Sequence, residues 1–151
     1  MTIVDANLLL YAYDAESPHY RAAKKWFEQL MEGTDIIGIP WATIWAFLRI
    51  RTNPRLVAKP QEPLECFRIV REWLSLPGVV ALEPGPRHIE ILSSLVAEAG
   101  ARGPLLSDAV MAALAIEQGG VLASTDRDFS RFPNLRWINP LDGKSLERKR
   151  P

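Results

Sequence analysis

Short apolar runs alternate along this chain with longer stretches of helical periodicity, and that alternation restricts the fold more than any other feature. Thr2-Ile3-Val4, Ile36-Ile37-Gly38-Ile39, Val79–Leu82 and Val121-Leu122-Ala123 are too short for helices and read as strands, with Leu135-Arg136-Trp137-Ile138 as a fifth. Leu8–Tyr13 reads as a first short helix. Ser17 as N-cap and Pro18 at the first helical position open a second, which carries Tyr20, Ala23, Trp26, Phe27 and Leu30 at helical spacing to about Met31. Trp41–Ile50 is a strongly apolar helix stopped by Thr52-Asn53-Pro54. Pro63–Leu76 is amphipathic, Pro86–Ala99 is the next helix, and Ser107–Gln118 is a buried, alanine-rich helix ended by Gly119-Gly120. Strands separated by helices predict an α/β fold with a parallel sheet covered on both faces.

The 151 residues suit one domain, taken as 1–145, with 146–151 as a basic, frayed tail. The net formal charge is zero, so the chain as a whole does not attract a polyanion. The distribution is less even: no Asp or Glu falls from Ile36 to Gln61, whereas Arg49, Arg51, Arg55 and Lys59 do, and the tail holds Lys144, Arg148, Lys149 and Arg150. A single cysteine, Cys66, excludes an intrachain disulfide and a cysteine zinc site, and it reads as a small core residue. Asp5 interrupts any secretory leader, and no apolar run approaches the roughly 18–20 residues of a bilayer span. A cytoplasmic setting with no membrane partner is expected.

The chemistry resides in aspartates. Asp5 ends the first strand, Asp108 opens the buried helix, and Asp126 follows the fourth strand with Asp128 two residues on. In open α/β sheets, ligands gather at the carboxyl ends of the strands. Each aspartate has a plainer reading. Asp5 and Asp108 suit helix caps (with Ser107 as the alternative cap for the latter), and Asp126 and Asp128 suit a turn. The combination favours a site, because a charge at the start of a buried helix needs a partner and none is supplied locally. Carboxylates collected at one place call for a hard divalent cation such as Mg²⁺ or Mn²⁺. With no covalent nucleophile in the pattern, phosphoryl transfer by direct attack of water follows.

Three passages resemble PIN-domain proteins, and among them the VapC toxins of bacterial type II toxin–antitoxin pairs: Ile3-Val4-Asp5-Ala6-Asn7-Leu8-Leu9-Leu10, Leu106-Ser107-Asp108-Ala109, and Ser124-Thr125-Asp126-Arg127-Asp128-Phe129. A fourth, Phe47-Leu48-Arg49-Ile50-Arg51-Thr52-Asn53-Pro54, is similar to one subgroup of these toxins. The resemblance implies a three-layer α/β/α sandwich with a central, mostly parallel sheet of four to five strands. It implies a Mg²⁺- or Mn²⁺-dependent endoribonuclease acting on structured RNA such as tRNA or rRNA, a homodimer, and a cognate VapB-type antitoxin. Asp5, Asp108 and Asp126 match the family's acidic positions, as catalytic residues and metal ligands, and Asp128 matches an accessory ligand. The chain departs from the pattern at Ala46, which stands where these domains commonly carry a glutamate. That leaves one or two metal ions open and keeps a second reading in play, a catalytically degenerate module that binds RNA or protein.

Asn7 supports Asp5 or bonds the backbone, and Thr125 orients a water or phosphate or makes a strand-end hydrogen bond. Arg49, Arg51 and Arg55 contact RNA phosphates or form a solvated helix end. Trp41, Trp45 and Phe47 are expected in core packing or in a dimer or antitoxin surface rather than stacked on bases. Trp26, Trp73 and Trp137 read as core, His88 as helix-start packing or a surface residue, and His19 as surface. An aspartyl-phosphate or receiver-type enzyme is disfavoured, because Asn7 replaces the second acid of an Asp-x-Asp pair and no lysine falls between Val121 and Leu141.

Overall fold

The computed structural model describes residues 1–142. Among them, β1 (Thr2–Val4), β2 (Ile37–Pro40), β3 (Val79–Leu82), β4 (Val121–Ala123) and β5 (Trp137–Ile138) form one sheet in the order β3-β2-β1-β4-β5, every neighbouring pair parallel. Helices α1 (Ala6–Ala12), α2 (Tyr20–Glu32), α3 (Trp41–Arg51), α4 (Pro63–Ser75), α5 (His88–Ala99) and α6 (Pro104–Glu117) make the crossovers, and a 3₁₀ turn spans Arg127–Arg131. The expected tail, 146–151, lies outside the described residues.

Period-two alternation divides the strands between two cores. Val4, Ile37, Ile39, Val79 and Ala123 join Leu8, Phe27, Phe47 and Trp73, the side of α1–α4. Ile3, Leu82 and Leu122 join Leu95, Ala112, Ala113 and Phe129, the side of α5 and α6. This is the expected α/β/α sandwich. Trp73 centres the first core, with the rings of Phe47, Tyr13 and Phe27 edge-on at 4.8, 5.5 and 6.0 Å. Its indole N–H donates to the Tyr13 hydroxyl at 2.8 Å, so the polar atom of a buried Trp is satisfied. On the other face the alanines of α6, fully buried at Ala109, Ala112, Ala113 and Ala115, let that helix lie close to the sheet. Cys66 is buried, as expected.

Several boundaries differ from the sequence reading. The first helix begins at Ala6, and α5 begins at His88 rather than Pro86. α2 begins at Tyr20, because Ser17 and Pro18 belong to a turn: the Ser17 hydroxyl accepts from the His19 N–H and its carbonyl accepts from the Tyr20 N–H. α6 begins at Pro104, a proline at the first helical position following Gly103 at φ +55°. Ser107 and Asp108 therefore lie inside the helix and neither caps it. β5 is confined to Trp137–Ile138. Trp26 and Trp137 pack against the cores while half-buried, and Phe47 is fully buried. Trp45 is 57% exposed, which overturns a core role for it.

Arg51 is also corrected. It is buried, with its Nε donating to Gln61 Oε1 at 3.2 Å, its Nη2 to the Lys59 carbonyl at 3.4 Å, and its Nη1 3.7 Å from Asp14 Oδ1. These contacts tie the segment after α3 to the α1–α2 turn and leave no guanidinium for a phosphate. Arg49 and Arg55 remain exposed. No helix among the described residues is long and apolar enough to cross a membrane.

Arg51→Ala should lower the free energy of unfolding by about 2–4 kcal/mol in urea denaturation, since it strands a partly buried carboxylate and breaks buried hydrogen bonds. Arg55→Ala, on the exposed side of the same segment, should stay within about 0.5 kcal/mol of the parent.

Candidate active site

The strand order reverses at β1. The chain passes from β1 outward through β2 to β3, then returns to the opposite side of β1 for β4 and β5. The carboxyl ends of β1 and β4 therefore border the crevice where open α/β sheets bind ligands. Val4 is in register with Ala123, and the Asp5 N–H donates to the Ala123 carbonyl at 3.0 Å. The next residues of the two strands, Asp5 and Ser124, thus come out side by side.

Asp5 occupies the N-cap position of α1, and its Oδ1 accepts from the Ala6 N–H at 2.7 Å. A plain cap would end there. Its Oδ2 instead accepts from the Ser124 hydroxyl at 2.7 Å and from Asn7 Nδ2 at 2.9 Å. Ser124 is fully buried, and its oxygen also accepts from Asn7 Nδ2 at 2.9 Å and from the Asp126 N–H at 3.0 Å. One hydroxyl therefore links the acid after β1 to the backbone of the acid after β4. The Thr125 N–H reaches Asn7 Oδ1 at 3.4 Å, so Thr125 enters this network through its backbone. Asp126 caps the 3₁₀ turn by accepting from the Asp128 N–H at 2.8 Å, which is the expected turn role.

Asp108, Asp126 and Asp128 each offer a carboxylate oxygen, and these oxygens lie within 4.8 Å of one another. Two full charges at that separation repel by about 1 kcal/mol in bulk water and about 3 kcal/mol at the effective dielectric of a protein surface. Burial pushes the Asp108 carboxyl above the usual carboxylate range, and Asp126, Asp128 and Asp5 push it further. Burial also raises Asp5, against the hydrogen bonds from Ser124 and Ala6 that hold it down, and Asp126 adds to the rise. An all-oxygen set of mutually repelling carboxylates suits a hard divalent cation.

The four aspartates singled out in the sequence thus gather at one place: three converge tightly and Asp5 adjoins them. Asn7 takes both of the roles weighed for it, with Nδ2 donating to Asp5 and Oδ1 accepting from the Thr125 backbone N–H. The three arginines do not act together, since Arg51 is structural. His88 packs at the start of α5 with Nδ1 3.7 Å from Glu117 Oε2. Glu117 is nine residues beyond Asp108 on α6, about 13 Å along the axis, so His88 serves the fold rather than the acids. His19 is exposed and packs on Tyr11. Ala46 is half-buried, one turn after Thr43, whose hydroxyl donates to the carbonyl of Val4 at 3.0 Å. The residue that sequence reasoning missed is Ser124. Its signal was a small polar side chain continuing a buried strand directly ahead of an acid.

A PIN-domain family model matches residues 2–135. Ribonuclease VapC33 of Mycobacterium tuberculosis is 40% identical over 141 residues, covering 93% of this chain and 99% of that protein. Among solved structures, VapBC2 from Rickettsia felis bound to a promoter DNA fragment superposes with a TM-score of 0.64 at 17% identity, covering 91% of this chain and 97% of the other. M. tuberculosis VapC20, described as a sarcin–ricin loop cleaving toxin, superposes with a TM-score of 0.64 at 16% identity, covering 90% and 99%.

Two predictions follow from the geometry of the acids. The folded-state pKa of Asp108 lies above its unfolded value, so the folded chain binds the extra proton, and that contribution to stability is lost as pH rises through the folded pKa. Asp108→Asn removes that dependence. In thermal melts without divalent cation, its Tm relative to the parent should increase as pH rises above the ordinary aspartate value of about 4 and then level off. A difference that does not change with pH would contradict the charge argument. Ser124→Ala should leave the protein folded but weaken divalent-cation binding about 10–100-fold by calorimetry, as loss of ligand-orienting contacts does, whereas Ser124→Thr, which keeps the hydroxyl, should lose less.

Proposed function

The chain belongs to the PIN-domain family, and on that premise we propose that it is a VapC-type endoribonuclease, the toxin of a toxin–antitoxin pair, hydrolysing RNA phosphodiester bonds with Mg²⁺ or Mn²⁺. The observation that supports this most is the convergence of Asp108, Asp126 and Asp128 next to Asp5 at the switch point of the sheet.

Asp108, Asp126 and Asp128 would hold the cation, with Asp5 presented to the same centre by Ser124 and Asn7. When bound, the cation supplies charge neutralisation at a phosphate and acidification of a water. The chain's own contribution is positioning. Ser124 and Ala6 each donate a hydrogen bond to Asp5, favouring the ionised form that burial opposes. Ser124 also holds the Asp126 backbone, fixing the distance between the two strand-end acids.

The VapC relatives and the VapBC complex support a VapB-type antitoxin as partner and an RNA substrate; an RNA of the tRNA or rRNA kind and a homodimer are what the resemblance to these toxins implies. Ala46 favours the binding-only alternative, because it removes one carboxylate. The nuclease reading stands above it because three carboxylates converge without that position.

The purified protein, freed of antitoxin, should cleave a pool of structured RNAs in Mg²⁺ or Mn²⁺ and stop in EDTA. Asp5→Asn and Asp108→Asn should each reduce the rate by at least about 100-fold, as lost preorganised charge does, with the circular dichroism spectrum unchanged. A folded wild-type protein that cuts nothing in the pool would move the assignment to the binding-only module.

A further inference from the structure

On the premise of that ribonuclease reading, we propose that the exposed face of α3, with Trp45 and Arg49 as its aromatic and polar contacts, carries a single-stranded segment of the RNA leading away from the acidic centre. Trp45 would stack on an unpaired base and Arg49 would contact a phosphate.

Position supports the proposal first. The initial turn of α3 is fastened to the end of β1 by the Thr43 hydroxyl on the Val4 carbonyl, one residue before Asp5. At about 100° per residue, the helix surface passes from Thr43 through Ala46 to Ala42, Arg49 and Trp45. The two alanines on this path are small, so no long side chain stands on the helix surface between Thr43 and the indole. Ala46 puts neither bulk nor charge on the same track.

Chemistry supports it next. Trp45 is 57% exposed, although an indole of its size is usually covered. It stacks on Trp41 with ring centroids 5.1 Å apart and an interplanar angle of 28°, so one ring already braces the other for a further stack. Arg49 follows one turn later and is exposed, and neither it nor Arg55 enters an ion pair among the described residues. No carboxylate falls anywhere from Ile36 to Gln61. An aromatic platform beside unpaired guanidinium groups, with no acid near in sequence, matches a base-and-phosphate polymer. A protein partner is the weaker fit. The exposed part of this helix offers a single large apolar side chain, whereas a stable interface buries about 800 Å² on each side.

The test measures binding of a short fluorescein-labelled, unstructured oligoribonucleotide by anisotropy. An Asp5→Asn background separates affinity from cutting. Trp45→Ala should weaken binding about tenfold and Trp45→Phe clearly less, because a ring remains to stack. Arg49→Ala should reduce the slope of log affinity against log salt by about one. Particle mass by light scattering and Tm should match the parent. Unchanged RNA affinity overturns the proposal. If it comes with a fall in particle mass, the face joins two copies of the chain. If it comes with loss of the antitoxin, the face seats that protein. If neither changes, the face is simply solvated. The parent chain with Asp5 intact is assayed in parallel: no cation-dependent cleavage of structured RNA would defeat the ribonuclease reading itself, whereas full cleavage and binding by Trp45→Ala would defeat this inference alone.

Discussion

Pairing Val4 with Ala123 across β1 and β4 sets one buried hydroxyl, Ser124, against one half-buried carboxylate, Asp5, and the rest of the site is arranged from that contact. Ser124 cannot face the core without a polar partner, and Asp5 cannot be held there ionised without donors. Each satisfies the other, and Asn7 and the Asp126 backbone complete the set. The two-residue periodicity of the strands matters here. A one-residue slip in either strand would put Asp5 and Ser124 on opposite faces and leave both groups unpaired. The apolar residues just before them, Val4 and Ala123, enforce the register by belonging to the same core.

The remaining acids arrive from other directions. Asp108 comes from within α6, whose buried alanines hold the helix tightly on the sheet, so its carboxylate cannot easily retreat from Asp126 and Asp128. Rigid packing on one side and like charge on the other make this corner of the molecule unfavourable without a counterion. A site of this kind is destabilising where it is useful, and the two aromatic and aliphatic cores must supply the difference. Arg51 contributes on the far side of α3, fastening the neighbouring loop with contacts that are purely structural.

Much of this was legible from the residues alone, for physical reasons. Strands central to a parallel sheet are covered on both faces and appear as unbroken apolar runs, which is why β1, β2 and β4 are readable; of the two edge strands, β3 keeps an apolar run and β5 is trimmed to two residues. Proline was a less faithful marker. Pro63 and Pro104 both sit at first helical positions, whereas Pro18 belongs to a turn, because the Ser17 hydroxyl and carbonyl serve the turn rather than the helix. Asp108 was readable as an acid in an apolar helix but not as an interior one, since that depended on where α6 begins. Arg51 gave no local sign of burial: its carboxylate partner, Asp14, is remote in sequence. Ser124 was overlooked because a serine beside a turn has many ordinary uses, and only the register with β1 singles it out.

The strand order has a further consequence, in time rather than in space. Asp5 follows the first strand, and its hydroxyl partner lies 119 positions later. Chains emerge from the ribosome amino end first, so β1, β2 and β3 can leave the exit tunnel and begin to associate while β4 does not yet exist. Until β4 emerges, the central strand has an open edge, Asp5 lacks Ser124, and the acids after β4 are missing. A nascent chain of this topology cannot assemble its acidic centre from its first three strands alone. Insertion of the fourth strand next to the first is the step that turns a partly folded polypeptide into one with a complete site.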